Sequence, residues 1–312
     1  MWGIIRGAGL AATLASALVA GAAHSAEALS LKSAAVLVID EETGEVLYNK
    51  NADAVVPIAS ITKLMTAMVT LDAGLPLDEE IEIAPDEVLA TRGAGIRSNL
   101  RPGSKFTRDS LLQLALMASE NRAAAALGRA YPGGMEAFVQ AMNAKAAELD
   151  MYDSRFVEPT GLSSSNVSSA GDLAKLARAA STYPLVREYS TQPSAVVRVG
   201  KRTLNYVNTN GLVRGGSWEI GLSKTGFIRE AGRCLVMQAK VAARSVIIVL
   251  LDSVGKYTRI GDANRIREWL EPGFTAPVVA AAASRRPHAR AIQGNRTASG
   301  RVRAQYEPSR PF

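Results

Sequence analysis

The sequence predicts a mixed α/β (α+β) fold, an antiparallel sheet flanked by helices with an all-helical lobe inserted between its strands. Two observations lead to this prediction. Strand-like segments lie near both ends of the central region, and helical segments occupy the stretch between them. Strands and helices that are segregated along a chain in this way are typical of an antiparallel sheet covered by helices.

The first predicted elements are a β-hairpin and a helix. Residues 34–40 are apolar and β-branched, the Glu-Glu-Thr-Gly stretch at 41–44 favours a turn, and the extended pattern resumes over 45–48. A loop follows over 51–59. A helix is expected over 60–71, with its first residue at the helix start.

The middle of the chain predicts helices and the next part predicts strands. Thr107 is a candidate N-cap for a helix that ends at Met117. The remaining predicted helices begin near Asn121 and cover 134–149 and 169–182. Strands are then expected over 195–199, 218–224, 234–241 and 245–251, and a last helix over 261–270.

The two ends of the chain differ from the body in composition. Residues 1–28 carry an early Arg6, an Ala- and Leu-rich run and small residues at the end, which predicts a removed signal peptide, with a retained N-terminal anchor as the alternative. The predicted folded body covers 29–273. Residues 274–312 are rich in Ala, Arg, Pro and Ser without a core-forming period, which predicts a disordered Arg-rich tail.

Histidine and cysteine usage excludes several kinds of site. Both histidines, His24 and His288, lie outside the predicted body. Ser-His-Asp catalysis, Cys-His catalysis and His-ligated metal sites are therefore excluded there, and we predict neither a metal nor a cofactor. Because the chain has a single cysteine, Cys234, an intramolecular disulfide is excluded, and we interpret Cys234 as a small buried hydrophobic residue. A base in the body must be Lys, Tyr, Asp or Glu.

The net charge of +7 is concentrated in the tail. Residues 284–312 contain seven arginines and one acid, a net charge of +6. The body is consequently nearly neutral, which argues against a nucleic-acid-binding protein.

Three short motifs carry the predicted chemistry. They are Ser-x-x-Lys at 60–63, Ser-x-Asn at 119–121 and Lys-Thr-Gly at 224–226. Each one alone also fits a helix cap, a solvated helix residue or a strand end. Together, in this order, they indicate a serine nucleophile that is activated without histidine.

The residue types suit that chemistry. Residues three apart share a helix face, so Lys63 is expected beside Ser60, where a neutral lysine is able to act as base. Burial and the nearby cation Lys224 would both lower the pKa of Lys63. Ser119 is a candidate proton relay to a leaving amine, and Asn121 a candidate for orienting the substrate amide and Lys63.

The third motif is expected to bind substrate. Lys224 and Thr225 offer a positive charge and a hydroxyl to a substrate carboxylate. Gly226 allows a substrate strand to approach the sheet edge closely.

These motifs resemble those of the serine D-alanyl-D-alanine peptidases, the low-molecular-mass penicillin-binding proteins, which have the serine β-lactamase/transpeptidase-like fold. The resemblance covers residues 31–272 and is strongest to D-alanyl-D-alanine endopeptidases of the penicillin-binding protein 7 type. Besides the motifs, it is carried by residues 58–68, 116–123, 131–134, 156–162 and 208–210.

The resemblance implies a mechanism and partners. Ser60 would attack the D-Ala carbonyl carbon of a peptidoglycan stem peptide, and water would hydrolyse the acyl-enzyme. The N–H groups of Ser60 and Phe227 would form the oxyanion hole, and β-lactams would bind covalently. The chain departs from its relatives at Ile228, where a Thr is usual, and at Glu120, where carboxypeptidases usually have Gly.

Several alternatives remain at the sequence level. The resemblance favours an endopeptidase that cleaves D-Ala–meso-diaminopimelate cross-links, and the alternative is a carboxypeptidase that trims pentapeptide stems. A serine β-lactamase is less favoured because the segment after Glu158 lacks the Asn that follows the class A glutamate. A non-catalytic wall-binding protein is disfavoured because Ser60, Lys63 and Lys224 are all present.

Export implies a periplasmic location, where the basic tail would either contact anionic wall polymer or lipid head groups or stay solvated.

Overall fold

A computed structural model describes residues 29–90, 98–199 and 202–271. The predicted signal peptide, at 1–28, and the predicted Arg-rich tail, at 274–312, lie outside the described residues. In the described ranges, no helix combines the length and the apolar character that crossing a membrane requires.

The described elements follow one another with strands first, helices in the middle and strands again near the end, before a last helix. In chain order they are β1 (Ser33–Asp40), β2 (Val46–Lys50), β3 (Val56–Pro57), a 3-10 turn (Ala59–Ile61), α1 (Thr62–Asp72), β4 (Glu80–Glu82), α2 (Pro85–Ala90), β5 (Lys105–Thr107), α3 (Arg108–Met117), α4 (Asn121–Arg129), α5 (Gly134–Glu148), β6 (Val167–Ser168), α6 (Ala170–Ala180), α7 (Pro184–Thr191), β7 (Ser194–Val199), β8 (Arg202–Val207), α8 (Gly211–Gly215), β9 (Glu219–Ile228), β10 (Gly232–Val241), β11 (Arg244–Ser253) and α9 (Thr258–Leu270).

A five-stranded antiparallel sheet joins the two strand-rich regions, which confirms the predicted fold class. Its strand order is β2-β1-β11-β10-β9. β1 pairs with β11 over almost its whole length, so that Val36 faces Leu250 and Val38 faces Ile248. The predicted hairpin at the start of the chain is β1 with β2.

The two faces of the sheet bury separate apolar clusters, because successive side chains of a strand point to opposite faces. Val36, Ile248 and Leu250 belong to the cluster that also holds Ile266 of α9. Leu37, Ile247 and Val249 belong to the larger cluster that includes α1, α3, α4, α5 and α6. This second face carries the helical lobe.

The helices of the lobe begin where the sequence predicts. The Thr107 side chain caps α3 by accepting a hydrogen bond from the Ser110 N–H at 3.1 Å. The Ser169 side chain caps α6 in the same way, accepting from the Asp172 N–H at 3.2 Å. Each cap satisfies a backbone donor that a helix start leaves free.

Three local features differ from the expectations. The strand predicted at 195–199 is real, but β7 pairs only with β8 and forms a hairpin outside the main sheet. The short helices α2, α7 and α8 were not predicted, because six, eight and five residues are too few to show a helical period. The helix expected from Ser60 begins as a 3-10 turn, and α1 starts at Thr62.

Candidate active site

Ser60 and Lys63 meet at the start of α1. The 3-10 turn holds Ser60 at 9% exposure, and the fully buried Lys63 follows one turn later. The Lys63 Nζ donates a hydrogen bond to the Ser60 Oγ at 2.9 Å. The turn is entered through Ala59, whose φ of +48° is in the left-handed region that non-glycine residues rarely adopt. Strain of this kind is typical of functional sites.

Two further acceptors surround the Lys63 ammonium nitrogen. Its Nζ donates to the Asn121 Oδ1 at 2.7 Å and to the Thr160 carbonyl oxygen at 2.5 Å. Burial lowers the pKa of Lys63 to about 8, although the negative charges of Glu158 and Glu120 act in the opposite direction. Lys63 therefore exchanges its proton near neutral pH.

The second motif lies in the connection between α3 and α4. Ser119 has a φ of +57°, and its neighbour Glu120 donates its backbone N–H to the Leu114 carbonyl at 3.1 Å. This tight turn brings the Asn121 side chain, at the first position of α4, against Lys63. Two motifs separated by 58 residues thus share one buried ammonium group.

Lys224 of β9 is more deeply buried than expected for a residue that binds substrate. Its side chain is 1% exposed, and its Nζ donates to the Ser119 Oγ at 2.8 Å and to the Thr225 carbonyl at 3.0 Å. Burial, followed by repulsion from Lys63 and Arg259, holds the pKa of Lys224 well below its usual value. Its direct contact is therefore with the candidate proton relay, and the neighbouring Thr225 presents the motif's hydroxyl.

The other two residues of the third motif line the edge of the sheet. The Thr225 hydroxyl bonds the Thr209 hydroxyl at 2.7 Å. A Cβ at Gly226 would lie 2.8 Å from the Ile58 carbonyl and 3.3 Å from the Ser60 nitrogen, so only glycine fits there. Phe227 follows with its side chain half exposed. The backbone of β9 thereby passes directly beside Ser60.

A loop at 158–161 lies against Lys63 and Ala59, and it was not predicted as part of the site. The Glu158 carboxylate accepts the backbone N–H groups of Thr160 and Gly161, each at 2.6 Å. Gly161 has a φ of +79°, and a Cβ there would lie 2.0 Å from the Ala59 carbonyl. Glu158 thus organises the loop that offers the Thr160 carbonyl to Lys63, and its oxygens are engaged with backbone donors.

Arg259 of α9 is a second residue near the site without a signal in the sequence. It is 9% exposed, and its Nη1 donates to the Gly226 carbonyl at 3.1 Å. Burial lowers its pKa to about 10, and the neighbouring Arg233 adds to this effect. Arg259 links the helix on the far face of the sheet to the strand beside Ser60.

Comparison with known families gives a match over most of the folded body. Residues 22–255 match the D-alanyl-D-alanine carboxypeptidase family. A D-alanyl-D-alanine endopeptidase from Pseudomonas aeruginosa is 53% identical over 81% of this chain and 81% of its own length. One from Escherichia coli is 48% identical over 84% of this chain and 85% of its own length.

Solved structures give the same result for the fold. The chain is similar to a Streptomyces DD-transpeptidase, with a TM-score of 0.72 and 29% identity over 77% of this chain and 97% of that one. It is also similar to penicillin-binding protein D2 of Listeria monocytogenes in its cefotaxime-bound form, with a TM-score of 0.68 and 31% identity over 77% and 97% of the two chains. The fold is that of the penicillin-binding DD-peptidases and transpeptidases.

Proposed function

The chain belongs to the D-alanyl-D-alanine carboxypeptidase family of serine peptidases, and on that premise we propose that Ser60 is the residue acylated by substrate. The observation that carries this proposal is the 2.9 Å hydrogen bond from the buried Lys63 Nζ to the Ser60 Oγ. A serine hydroxyl is a weak nucleophile and needs a base within hydrogen-bond distance. Lys63, with a pKa of about 8, is the base in that position.

Acylation proceeds in two stages. Neutral Lys63 takes the Ser60 hydroxyl proton while the Oγ bonds to the D-alanyl carbonyl carbon, whose oxygen becomes an oxyanion. The oxyanion re-forms the carbonyl as the C–N bond breaks, and the proton that Lys63 took from Ser60 passes through Ser119, which Lys224 contacts at 2.8 Å, to the leaving amine, so that Lys63 is neutral again. Water then attacks the ester and releases the shortened peptide and free Ser60.

Two groups around Ser60 serve the transition state. The N–H groups of Ser60 and Phe227 form the oxyanion hole, a role supported by the passage of β9 close to the Ser60 nitrogen. Thr225 and Lys224 bind the carboxylate next to the scissile bond, and this carboxylate favours the charged form of Lys224, whose pKa burial lowers in the free enzyme. Asn121 orients the substrate amide and Lys63.

The preferred reaction is endopeptidase cleavage of D-Ala–meso-diaminopimelate cross-links. Two relatives called D-alanyl-D-alanine endopeptidase are 53% and 48% identical, whereas a Bacillus subtilis relative called a carboxypeptidase is 32% identical over 71% of this chain. Carboxypeptidase trimming of pentapeptide stems uses the same site and is the alternative.

Digestion of purified cross-linked peptidoglycan, followed by mass analysis of the muropeptides, tests this reaction. We expect cross-linked dimers to decrease and monomers to increase, and the Ser60→Ala variant to leave the dimers intact. Intact dimers with pentapeptides shortened to tetrapeptides would instead establish the carboxypeptidase. Covalent labelling of Ser60→Ala by fluorescent penicillin would show that the nucleophile is another residue.

The enzyme acts on the cell wall and is therefore extracytoplasmic, as its family implies. We place it in the periplasm, exported by a signal peptide at residues 1–28.

The basic tail contacts anionic wall polymer or lipid head groups through its net charge of +6. Deletion of residues 284–312 should then weaken wall binding at low salt, and unchanged binding would overturn this role.

A further inference from the structure

Glu120, the central residue of the Ser-x-Asn motif, has no role in the mechanism above. Its side chain is nevertheless 7% exposed, between Ser119 and Asn121 at the start of α4. Carboxylates are seldom buried this deeply unless something compensates for their lost hydration. The burial of the Glu120 carboxylate therefore needs a physical explanation.

The Glu120 carboxylate is tied to residues 98–100. Its Oε1 accepts a hydrogen bond from the Ser98 hydroxyl, and the Ser98 Oγ accepts the Leu100 N–H at 3.1 Å. The Arg122 guanidinium, two residues along α4, donates to the Leu100 carbonyl. Leu100 itself is fully buried in the core of the lobe. Residues 98–100 are thus held to the second motif at two points.

Among the described residues, the charged and titratable groups that interact with Glu120 come from three elements. Lys63 of α1 and Arg122 of α4 are positive, and Tyr206 of β8 contributes a phenol. The Tyr206 hydroxyl is buried and has no hydrogen-bond partner in the described part of the chain. Within that part, no lysine, arginine or histidine lies within ion-pair distance of the Glu120 carboxylate. Its negative charge acts through space on Lys63 and on Arg122.

The electrostatic coupling between Glu120 and Lys63 acts in both directions. Burial raises the pKa of Glu120, and the Ser98 hydroxyl and the Lys63 charge oppose that rise. Glu120 in turn opposes the fall that burial causes in the pKa of Lys63, as does Glu158. The Glu158 oxygens bond the backbone of their own loop, whereas the largest hydrogen-bond contribution to Glu120 comes from the Ser98 hydroxyl.

We propose that Glu120 is a positioning residue for acylation, whose buried carboxylate fixes residues 98–100 beside the second motif and controls how readily Lys63 gives up its proton. This inference rests on the proposed role of Lys63 as the base for Ser60. It gives Glu120 two separable effects, one through the hydrogen bond to Ser98 and one through its charge.

Replacing Glu120 by glutamine separates these effects, because Gln keeps an acceptor for Ser98 and removes the charge. Without the negative charge, the Lys63 ammonium form is less stable, so Lys63 becomes neutral at a lower pH. The acid side of the acylation profile should move to lower pH by on the order of one unit. Glu120→Asp keeps the charge and should leave the profile near that of the wild type.

The measurement is the second-order rate of labelling by fluorescent penicillin across about pH 5 to pH 9, since a base in its neutral form sets the acid limb. Glu136→Gln, on the exposed side of α5, is the matched control and should leave the limb in place. Ser98→Ala should slow labelling without moving the limb to lower pH. Melting curves for each variant confirm that the labelled protein is folded.

The outcomes separate this inference from the function it rests on. An unlabelled wild type would overturn the proposed function itself. A labelled wild type, with an acid limb that stays unchanged in a folded Glu120→Gln, would overturn the role of Glu120 alone. The same downward shift in Glu136→Gln would show a general charge effect and would likewise overturn it.

Discussion

At the scale of single residues, the site depends on backbone positions as much as on side chains. Gly226 and Gly161 let two chain segments reach the turn that carries Ser60, one from the sheet and one from the loop at 158–161. Ala59 and Ser119 adopt positive φ values without being glycine. Ser60 and Ser119, the proposed nucleophile and proton relay, are therefore each held by a turn that the surrounding packing maintains.

The close approach at Gly226 gives a prediction. In Gly226→Ala, the new Cβ would lie 2.8 Å from the Ile58 carbonyl, so β9 must move away from Ser60. A misplacement of this size should slow labelling by fluorescent penicillin by about 100-fold. The matched control is Gly215→Ala on α8, where nothing lies within 4 Å of the added Cβ. A Gly226→Ala variant that is labelled as fast as Gly215→Ala would show that the strand has room to adjust.

At the scale of elements, α9 is attached to the first strand by one carboxylate. Asp262 is fully buried, and its Oδ2 accepts the Ser33 N–H at 2.7 Å and the Ser33 hydroxyl at 2.6 Å. Its Oδ1 accepts the Lys32 N–H at 3.1 Å and pairs with Arg265. Burial acts to raise the pKa of Asp262, but these donors outweigh it and the pKa is lowered from 3.8.

This lowered pKa makes the attachment depend on pH. A carboxyl whose pKa is lower in the folded state stabilises the fold above its unfolded pKa, and the contribution disappears as pH falls through the folded value. Asp262→Asn should therefore lower the free energy of unfolding at neutral pH by roughly 3 kcal/mol. The difference from wild type should shrink as pH drops below 3.8. Urea unfolding at several pH values measures both.

The same helix offers a control for Asp262→Asn. Glu271 lies just past the end of α9, is exposed and makes an ion pair with Arg267 at 3.5 Å. Glu271→Gln should change the free energy of unfolding by less than about 1 kcal/mol. A loss for Asp262→Asn that is equally small at neutral pH would mean that α9 is held by its apolar contacts alone.

At the scale of the whole molecule, the sheet separates the helical lobe that carries the candidate site from the apolar cluster under α9. The face covered by the lobe buries Ile58, Ala59 and Leu64 around the site. The opposite face packs Ile248 and Leu250 against Ile266 of α9. The two faces share strands but have separate clusters, so a cavity on the α9 face should affect stability more than catalysis.

Ile266→Ala tests that separation. Removing a fully buried isoleucine should lower the free energy of unfolding by about 2–5 kcal/mol. The rate of penicillin labelling of the folded fraction should stay within about twofold of wild type, since Ile266 belongs to the apolar cluster on the sheet face opposite the candidate site. Val46→Ala, at a position 54% exposed on β2, should change stability by less than about 0.5 kcal/mol. Slow labelling of folded Ile266→Ala would show that α9 transmits strain to β9 through Arg259.

The sequence by itself determined the fold class, the three motifs and the absence of histidine from the body. These follow from local signals: side-chain period defines strands and helices, and residue type limits which groups are able to act as nucleophile or base. The long strands, the cap at Thr107, the helix that starts near Ser169 and the pairing of the two ends in one sheet were all predicted in this way. The roles of the motif residues remain predictions.

Only the tertiary structure decided what surrounds those motifs. Lys63 bonds a backbone carbonyl at Thr160, 97 residues away, and a carbonyl gives no signal in a sequence because every residue has one. The same holds for the hydrogen bond from Lys224 to Ser119 and for the one from Arg259 to the Gly226 carbonyl, because each joins residues that are remote along the chain. The burial of Glu120 also depends on residues that are remote along the chain. Burial sets the pKa of a lysine base, and burial is a property of the assembled fold.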